Sequence, residues 1–227
     1  MKTSTLFFFA FLTGMTIFHA QQLKIRPVSE TEKSALARDL VIYRTALQSK
    51  NWDEVLRYLY PGLYNLNSRE EIRNSMEKGT ENPVFRMELQ PASDLRIFPD
   101  VVEKDGKKYM LAAYTHNFTM IFKQRPKEND MLFKERMNYT YHQYRRVYPA
   151  GQLLRSEKEG VFHFRVPKYI LAVYDPSEGH FTFMDIDDNS SKISVLKKIL
   201  PADVVDYFVK LIVKDRESRN KGGLQIK

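Results

Sequence analysis

Tyr109-Met110-Leu111-Ala112-Ala113-Tyr114-Thr115-His116-Asn117-Phe118-Thr119-Met120-Ile121-Phe122 reads as a β-strand. Successive side chains of a strand point to opposite faces, so residues two apart share one. Met110, Ala112, Tyr114, His116, Phe118, Met120 and Phe122 then form one row, and Ala113, Thr115, Asn117 and Thr119 the other. Asp105-Gly106 stands just upstream, with residues 101–103 before it. That dipeptide tolerates the positive φ angles of a two-residue turn and signals a hairpin. Phe85, Met87 and Leu89 alternate with Arg86, Glu88 and Gln90, and residues 95–98 suit another short strand. Downstream, residues 161–166, 169–174 and 180–186 read as three more strands. Pro167-Lys168 and residues 175–179 are the expected turns between them.

Upstream the period changes to that of helices. Ser29-Glu30-Thr31-Glu32 is a capping box, and Leu36, Leu40, Tyr43 and Leu47 follow at helical spacing to an end near Ser49. Asn51 can cap a short second helix that buries Trp52, Val55, Leu56 and Leu59 and stops at Tyr60-Pro61-Gly62. Ser68-Arg69-Glu70-Glu71 is a second capping box, opening a helix with Ile72 and Met76 that Gly79 ends. Residues 131–148 read as an inserted helix: Leu132, Glu135 and Arg136 favour it, although Asn138-Tyr139-Thr140-Tyr141 favours strand. Tyr141, Tyr144 and Tyr148 share one stripe of it. Residues 191–200 give another helix, and Pro201-Ala202-Asp203 starts the last, with Val204, Val205, Phe208, Leu211 and Ile212 on its apolar side. The expected organisation is a leader at 1–20, a lead segment at 21–29, one α+β domain over 30–213 and a flexible basic tail at 214–227.

Composition narrows the function classes. The chain has 227 residues, 15 Phe and 13 Tyr, enough apolar surface to offset chain entropy, so a disordered chain is excluded. It has no Cys, which rules out disulfides, thiolate zinc sites, iron–sulfur clusters and a cysteine nucleophile. Residues 1–5 carry one charge, Lys2; residues 6–18 are strongly apolar; His19-Ala20 precedes Gln21-Gln22. This is the order of a secretory signal peptide, with cleavage expected after Ala20. The apolar run is too short for the ~20 residues of a spanning helix, and no transmembrane segment is expected after cleavage. An exported chain without cysteine fits a bacterial periplasm or the medium. The net charge is +8, but the basic residues fall in short clusters interrupted by acids, such as Lys104-Asp105-Gly106-Lys107-Lys108. They read as solvated surface, with no nucleic-acid partner expected.

Residues 43–56, Tyr-Arg-Thr-Ala-Leu-Gln-Ser-Lys-Asn-Trp-Asp-Glu-Val-Leu, followed by Tyr60-Pro61-Gly62-Leu63-Tyr64 and Ser68-Arg69-Glu70-Glu71-Ile72, carry a resemblance. They resemble the opening of the nuclear-transport-factor-2-like superfamily, also called cystatin-like or polyketide-cyclase-like cones. Ile170-Leu171-Ala172-Val173-Tyr174 and Ile199-Leu200-Pro201 are similar to exported bacterial members with an extra helix. The resemblance runs from Glu30 to Phe208. It implies helices packed into a strongly curved, mostly antiparallel sheet that forms a cone around a pocket. The chain departs from the minimal cone chiefly at residues 123–156. Isomerases, dehydratases, cyclases and many non-enzymes share that fold, so the resemblance does not assign chemistry.

The residues themselves supply few catalytic candidates. No two of His116, His142, His163 and His180 stand at helical metal-ligand spacing, so no metal site is expected. Asp185-Ile186-Asp187-Asp188-Asn189 starts like a calcium loop but has Ser190 where Gly is needed and Leu196 where Glu is needed. No phosphate-cradling loop, dinucleotide fingerprint or nucleophile elbow is present, and no cofactor is expected. His116 is the single catalytic candidate, because its row would line a cone interior, where it could act as a general base. The same placement suits a hydrogen-bonded core histidine. His163 alternates against Phe162 and Phe164 and should face outward. Tyr60, Tyr64, Tyr114, His116 and Phe118 are the candidate ligand-binding residues; aromatic side chains line apolar pockets and also fill ordinary cores. The first expectation is an exported, non-catalytic protein of the bacterial envelope that binds a small apolar molecule or a protein partner. The second is an isomerase, dehydratase or cyclase that uses His116 with a nearby acid. The third is a structural or interaction module, and a homodimer is among the assemblies it admits.

Overall fold

The computed structural model describes residues 23–222. The expected leader at 1–20 and the last residues of the basic tail lie outside them. In chain order the elements are β1 (Lys24–Pro27), α1 (Glu30–Gln48), α2 (Trp52–Tyr58), a 3-10 turn (Pro61–Asn65), α3 (Arg69–Thr80), β2 (Phe85–Leu89), β3 (Ser93–Lys104) and β4 (Lys107–Phe122). Then come α4 (Asp130–Val147), β5 (Leu153–Arg155), β6 (Val161–Tyr174), β7 (Phe181–Ile186), α5 (Ser190–Leu196) and α6 (Ala202–Gly222). The described residues thus form an α+β fold with one antiparallel, seven-stranded sheet that does not close.

The helix starts follow from local chemistry. Ser29 Oγ accepts the Glu32 N–H and the Ser29 N–H donates to the Glu32 carboxylate, with the same reciprocal pair at Ser68 and Glu71. Asn51 caps α2 by accepting the Glu54 N–H. Each cap satisfies amides that the first helical turn leaves without carbonyl partners.

The sheet is organised by β4 and β6, which pair along Lys108–Ile121 and Val161–Tyr174. Asp105 (φ 52°) and Gly106 (φ 75°) make the two-residue turn into β4. β4 is flanked on its other edge by β3 over its first half and β2 over its second. β6 is flanked by β7 at one end and β5 at the other. The alternating row along β4 is borne out, and it serves two cores. Met110, Ala112 and Tyr114 pack with Leu36, Leu40 and Tyr43 of α1, Val55 and Leu56 of α2, and Phe183 of β7. Phe118, Met120 and Phe122 pack with Phe162, Phe164 and Met137 of α4. On the opposite face, Tyr109, Leu111 and Ala113 meet Val204, Val205, Phe208 and Ile212 of α6.

Several elements differ from the sequence reading. The lead segment contains a strand, β1, held at the sheet edge by β3. Residues 95–98 and 101–103 belong to one strand, β3. Register slips against β4 between Ser93 and Arg96 and between Ile97 and Val101 leave it with unpaired extra residues, which bend it. Pro167-Lys168 is not a turn, because β6 passes straight through it. Arg165, two residues earlier, points its N–H outward to the Gln152 carbonyl at 2.9 Å, so Pro167 presents its nitrogen to the same edge. There β5 has ended and β7 has not begun, so the missing N–H deprives no neighbour of a ladder bond. The last helix also runs beyond Lys214 to Gly222. Asp215 anchors that turn by accepting from Tyr169 Oη at 2.8 Å and Arg96 at 2.6 Å.

Gly160 fixes how α4 sits on the sheet. Its φ is +77°, and a Cβ there would stand 2.6 Å from Phe133 Cζ and 3.3 Å from the Phe122 carbonyl oxygen. Gly160→Ala therefore adds backbone strain to a collision with α4. We expect it to lower the unfolding free energy by about 2 kcal/mol, read by chemical denaturation. A loss below ~0.5 kcal/mol would show that α4 does not need this close approach.

Candidate functional site

The two cores on the shared face of β4 do not merge. His116 stands between Tyr114, the last residue of one, and Phe118, the first of the other, with ring centroids 6.4 Å and 5.1 Å away. At this seam lies a cavity of about 270 Å³. α1 supplies Tyr43, Arg44 and Leu47; Trp52 and Met76 come from α2 and α3; Met87 and Leu89 come from β2. The floor is Tyr114 and His116, and Lys168 and Asp185 complete the polar part.

Arg44 governs the electrostatics. It is 6% exposed. One terminal nitrogen, Nη1, lies 2.9 Å from His116 Nδ1 and 3.4 Å from Tyr114 Oη, and the guanidinium carbon is 4.8 Å from the Tyr114 ring centre. The other, Nη2, reaches the Gln90 carbonyl at 3.5 Å, a long contact. A guanidinium only donates, so His116 Nδ1 must accept and the imidazole proton sits on Nε2. Burial, the Arg44 charge and then Lys168 push the His116 pKa down to about 4, with Asp185 opposing. The ring is therefore neutral at pH 7 and offers an N–H. Burial raises Tyr114 to about 12, so it keeps its proton as well.

Asp185 shares the cavity with His116, but its recorded partner is Lys168 at 3.1 Å. No hydrogen bond joins His116 to a carboxylate among the described residues. A base with its Nδ1 occupied and its pKa near 4 is poorly matched to proton abstraction at neutral pH. The arrangement is better suited to hydrogen bonding than to acid–base chemistry.

Of the five residues chosen from sequence as ligand contacts, Tyr114 and His116 line this cavity. Tyr60 lies in the core under α6 and donates to the Ile199 carbonyl at 3.3 Å. Tyr64 donates to the Leu56 carbonyl and stacks with Arg69. Phe118 is stacked on Phe164, with ring centroids 4.6 Å apart. None of these three lines the cavity. His163 is half-buried, with Nδ1 2.9 Å from Thr119 Oγ1, rather than fully outward. Sequence reading passed over Arg44, although a visible signal marks it: it follows Leu40 by four residues and precedes Leu47 by three, inside the apolar stripe of α1.

The clustered lysines of the β3–β4 turn are paired: Lys104 with Asp203, Lys107 with Asp175 and Lys108 with Glu32. Among the described residues no group of three or more His, Asp or Glu side chains is placed to hold a metal ion, and no helix is long and apolar enough to cross a membrane. No protein-family model matches the chain, and no curated protein matches it.

Proposed function

We propose that the chain is an exported, non-catalytic member of the nuclear-transport-factor-2-like cones that holds a small apolar molecule in the bacterial envelope. The observation that carries this reading is the cavity at the seam of the two cores. Tyr43, Leu47, Trp52, Met76, Met87 and Leu89 give it apolar walls around a few polar groups, the usual make-up of a small-molecule site. Its ~270 Å³ lies just below the ~300 Å³ at which the range of such sites begins, so the guest is small. The apolar leader supports export, a cysteine-free exported chain fits a bacterial envelope, and the Tyr43–Leu56 and Tyr60–Ile72 segments support the family. A concave hollow speaks for a small molecule ahead of a protein partner, which would need a larger complementary surface.

Native mass spectrometry of the chain purified from a bacterial periplasm, with thermal-shift screening of small hydrophobic compounds, tests the reading. A co-purifying or stabilising compound whose effect falls when Leu47→Asp is introduced is the expected result. A protein that carries nothing and responds to no compound refutes it.

The enzyme reading has one observation in its favour: Asp185 and His116 line the same cavity. It needs the carboxylate released from Lys168 and Nδ1 released from Arg44.

A further inference from the structure

Among the described residues, Arg44 is a buried cation without a counter-ion. The described residues place no carboxylate within ion-pair distance of it, whereas Asp39, buried five residues earlier on the same helix, is paired with Arg38 and accepts the Phe181 N–H at 2.9 Å. Arg44 Nε is closed to solvent and has no hydrogen-bond partner among the described residues. A buried charge is normally paired, and a buried donor is normally satisfied. Both requirements fail at one side chain, and that side chain lines the cavity.

Its surroundings are short of acceptors and rich in donors. His116 spends its acceptor nitrogen on Arg44 and keeps Nε2–H. Tyr114 Oη accepts from Arg44 and keeps its own proton to donate. Lys168 and Asp185 cancel one another, so the charge of Arg44 is the cavity's uncompensated one. Away from this group the walls are apolar apart from Thr80, whose hydroxyl donates to the Glu77 carbonyl.

We propose that the cavity is built for a monocarboxylate with an apolar body, its carboxylate serving as the missing counter-ion of Arg44. This inference rests on the reading that the cavity takes a small apolar guest, and it adds the guest's head group. A single negative charge matches the single positive one; a phosphate dianion would bring a second negative charge for which the cavity has no free cation among the described residues, Lys168 being paired with Asp185. Arg44 is the recognising residue, with Tyr114 and His116 as donors beside it.

The test is calorimetric titration of the full chain, without its leader, with octanoate and with octan-1-ol at pH 7. A charge-assisted contact to arginine should make octanoate bind about 10- to 100-fold more tightly than the alcohol. Arg44→Met should abolish that preference and leave octan-1-ol within about twofold of its original affinity. The variant also strips His116 Nδ1, Tyr114 Oη and the Gln90 carbonyl of their donor, so its melting temperature without ligand should fall modestly on either reading, and the acid–alcohol ratio is the deciding readout. Equal affinity for acid and alcohol in the unaltered protein overturns the carboxylate assignment and leaves the apolar cavity standing. Octanoate binding that survives Arg44→Met overturns it too. Failure of octanoate to bind overturns the carboxylate assignment, and only if no compound in the thermal-shift screen stabilises the protein either does the cavity reading fall with it. The acid–alcohol comparison needs no variant, so a poorly folding Arg44→Met protein does not shield the proposal.

Discussion

Phe183→Ala is expected to lower the unfolding free energy by about 3–5 kcal/mol, the usual cost of emptying a fully buried aromatic site. In a domain of this size that is a fall of roughly 10 °C in melting temperature. Phe183 is fully buried, with its ring 5.3 Å from Tyr43 of α1 and 6.3 Å from Tyr58 of α2. Its carbonyl accepts the Tyr60 N–H at 3.0 Å, just beyond α2. One residue of β7 thus holds both helices to the sheet, and Tyr43 forms part of the cavity wall. Phe162→Ala should cost about as much, because Phe162 is also fully buried, 5.3 Å from Phe122 and 5.8 Å from Tyr141. The two losses should appear in different places. Hydrogen exchange should speed up in α1 and α2 for the first variant and in α4 for the second. If both variants loosened all these helices alike, the two cores would be one cooperative unit and the seam between them would have no energetic meaning.

The elements legible in the sequence were those fixed by neighbours in the chain. Ser29, Asn51 and Ser68 meet their partners within three residues, and Asp105-Gly106 closes its turn alone. The alternation over Tyr109–Phe122 gave the correct face for every residue of the row. What escaped depends on distant pairing. β1 exists because β3 offers it an edge, and β6 tolerates Pro167 because β5 and β7 leave that edge empty. Neither condition is written near the residues concerned. The candidate site divides along the same line. Tyr114 and His116 could be placed by period, whereas Tyr60, Tyr64 and Phe118 could not be assigned to core or cavity from their aromatic character. Their carbonyl and ring partners come from Ile199, Leu56 and Phe164. Arg44 was the detectable omission, a charged residue in an apolar stripe.

Acidification should expose His116 through stability alone. In an unfolded chain its imidazole titrates near pH 6.5; in the native protein burial and Arg44 hold it at about 4. Between those values the unfolded chain binds a proton that the native protein refuses. Native stability therefore rises with pH across the window, is at its full value above about 6.5, and is lost as the pH falls toward 4. The whole step is about 3 kcal/mol, most of it spent above pH 4.5. Carboxylates held low in the native state act later. Hydrogen bonds from Arg136 hold Glu128 at about 2, and those from Ser177 and Lys107 do the same for Asp175. Their contribution is present above the ordinary carboxylate range and disappears only as the pH drops below it. Denaturation midpoints measured every half unit from pH 7 to 4.5 should therefore slope steeply in the unaltered protein and much less in His116→Gln, whose amide oxygen can still accept from Arg44. Parallel slopes would mean that His116 takes up its proton in the folded protein as readily as in the unfolded one. Arg44 could then not be its buried neighbour, and the donor-rich pocket would lose its neutral imidazole.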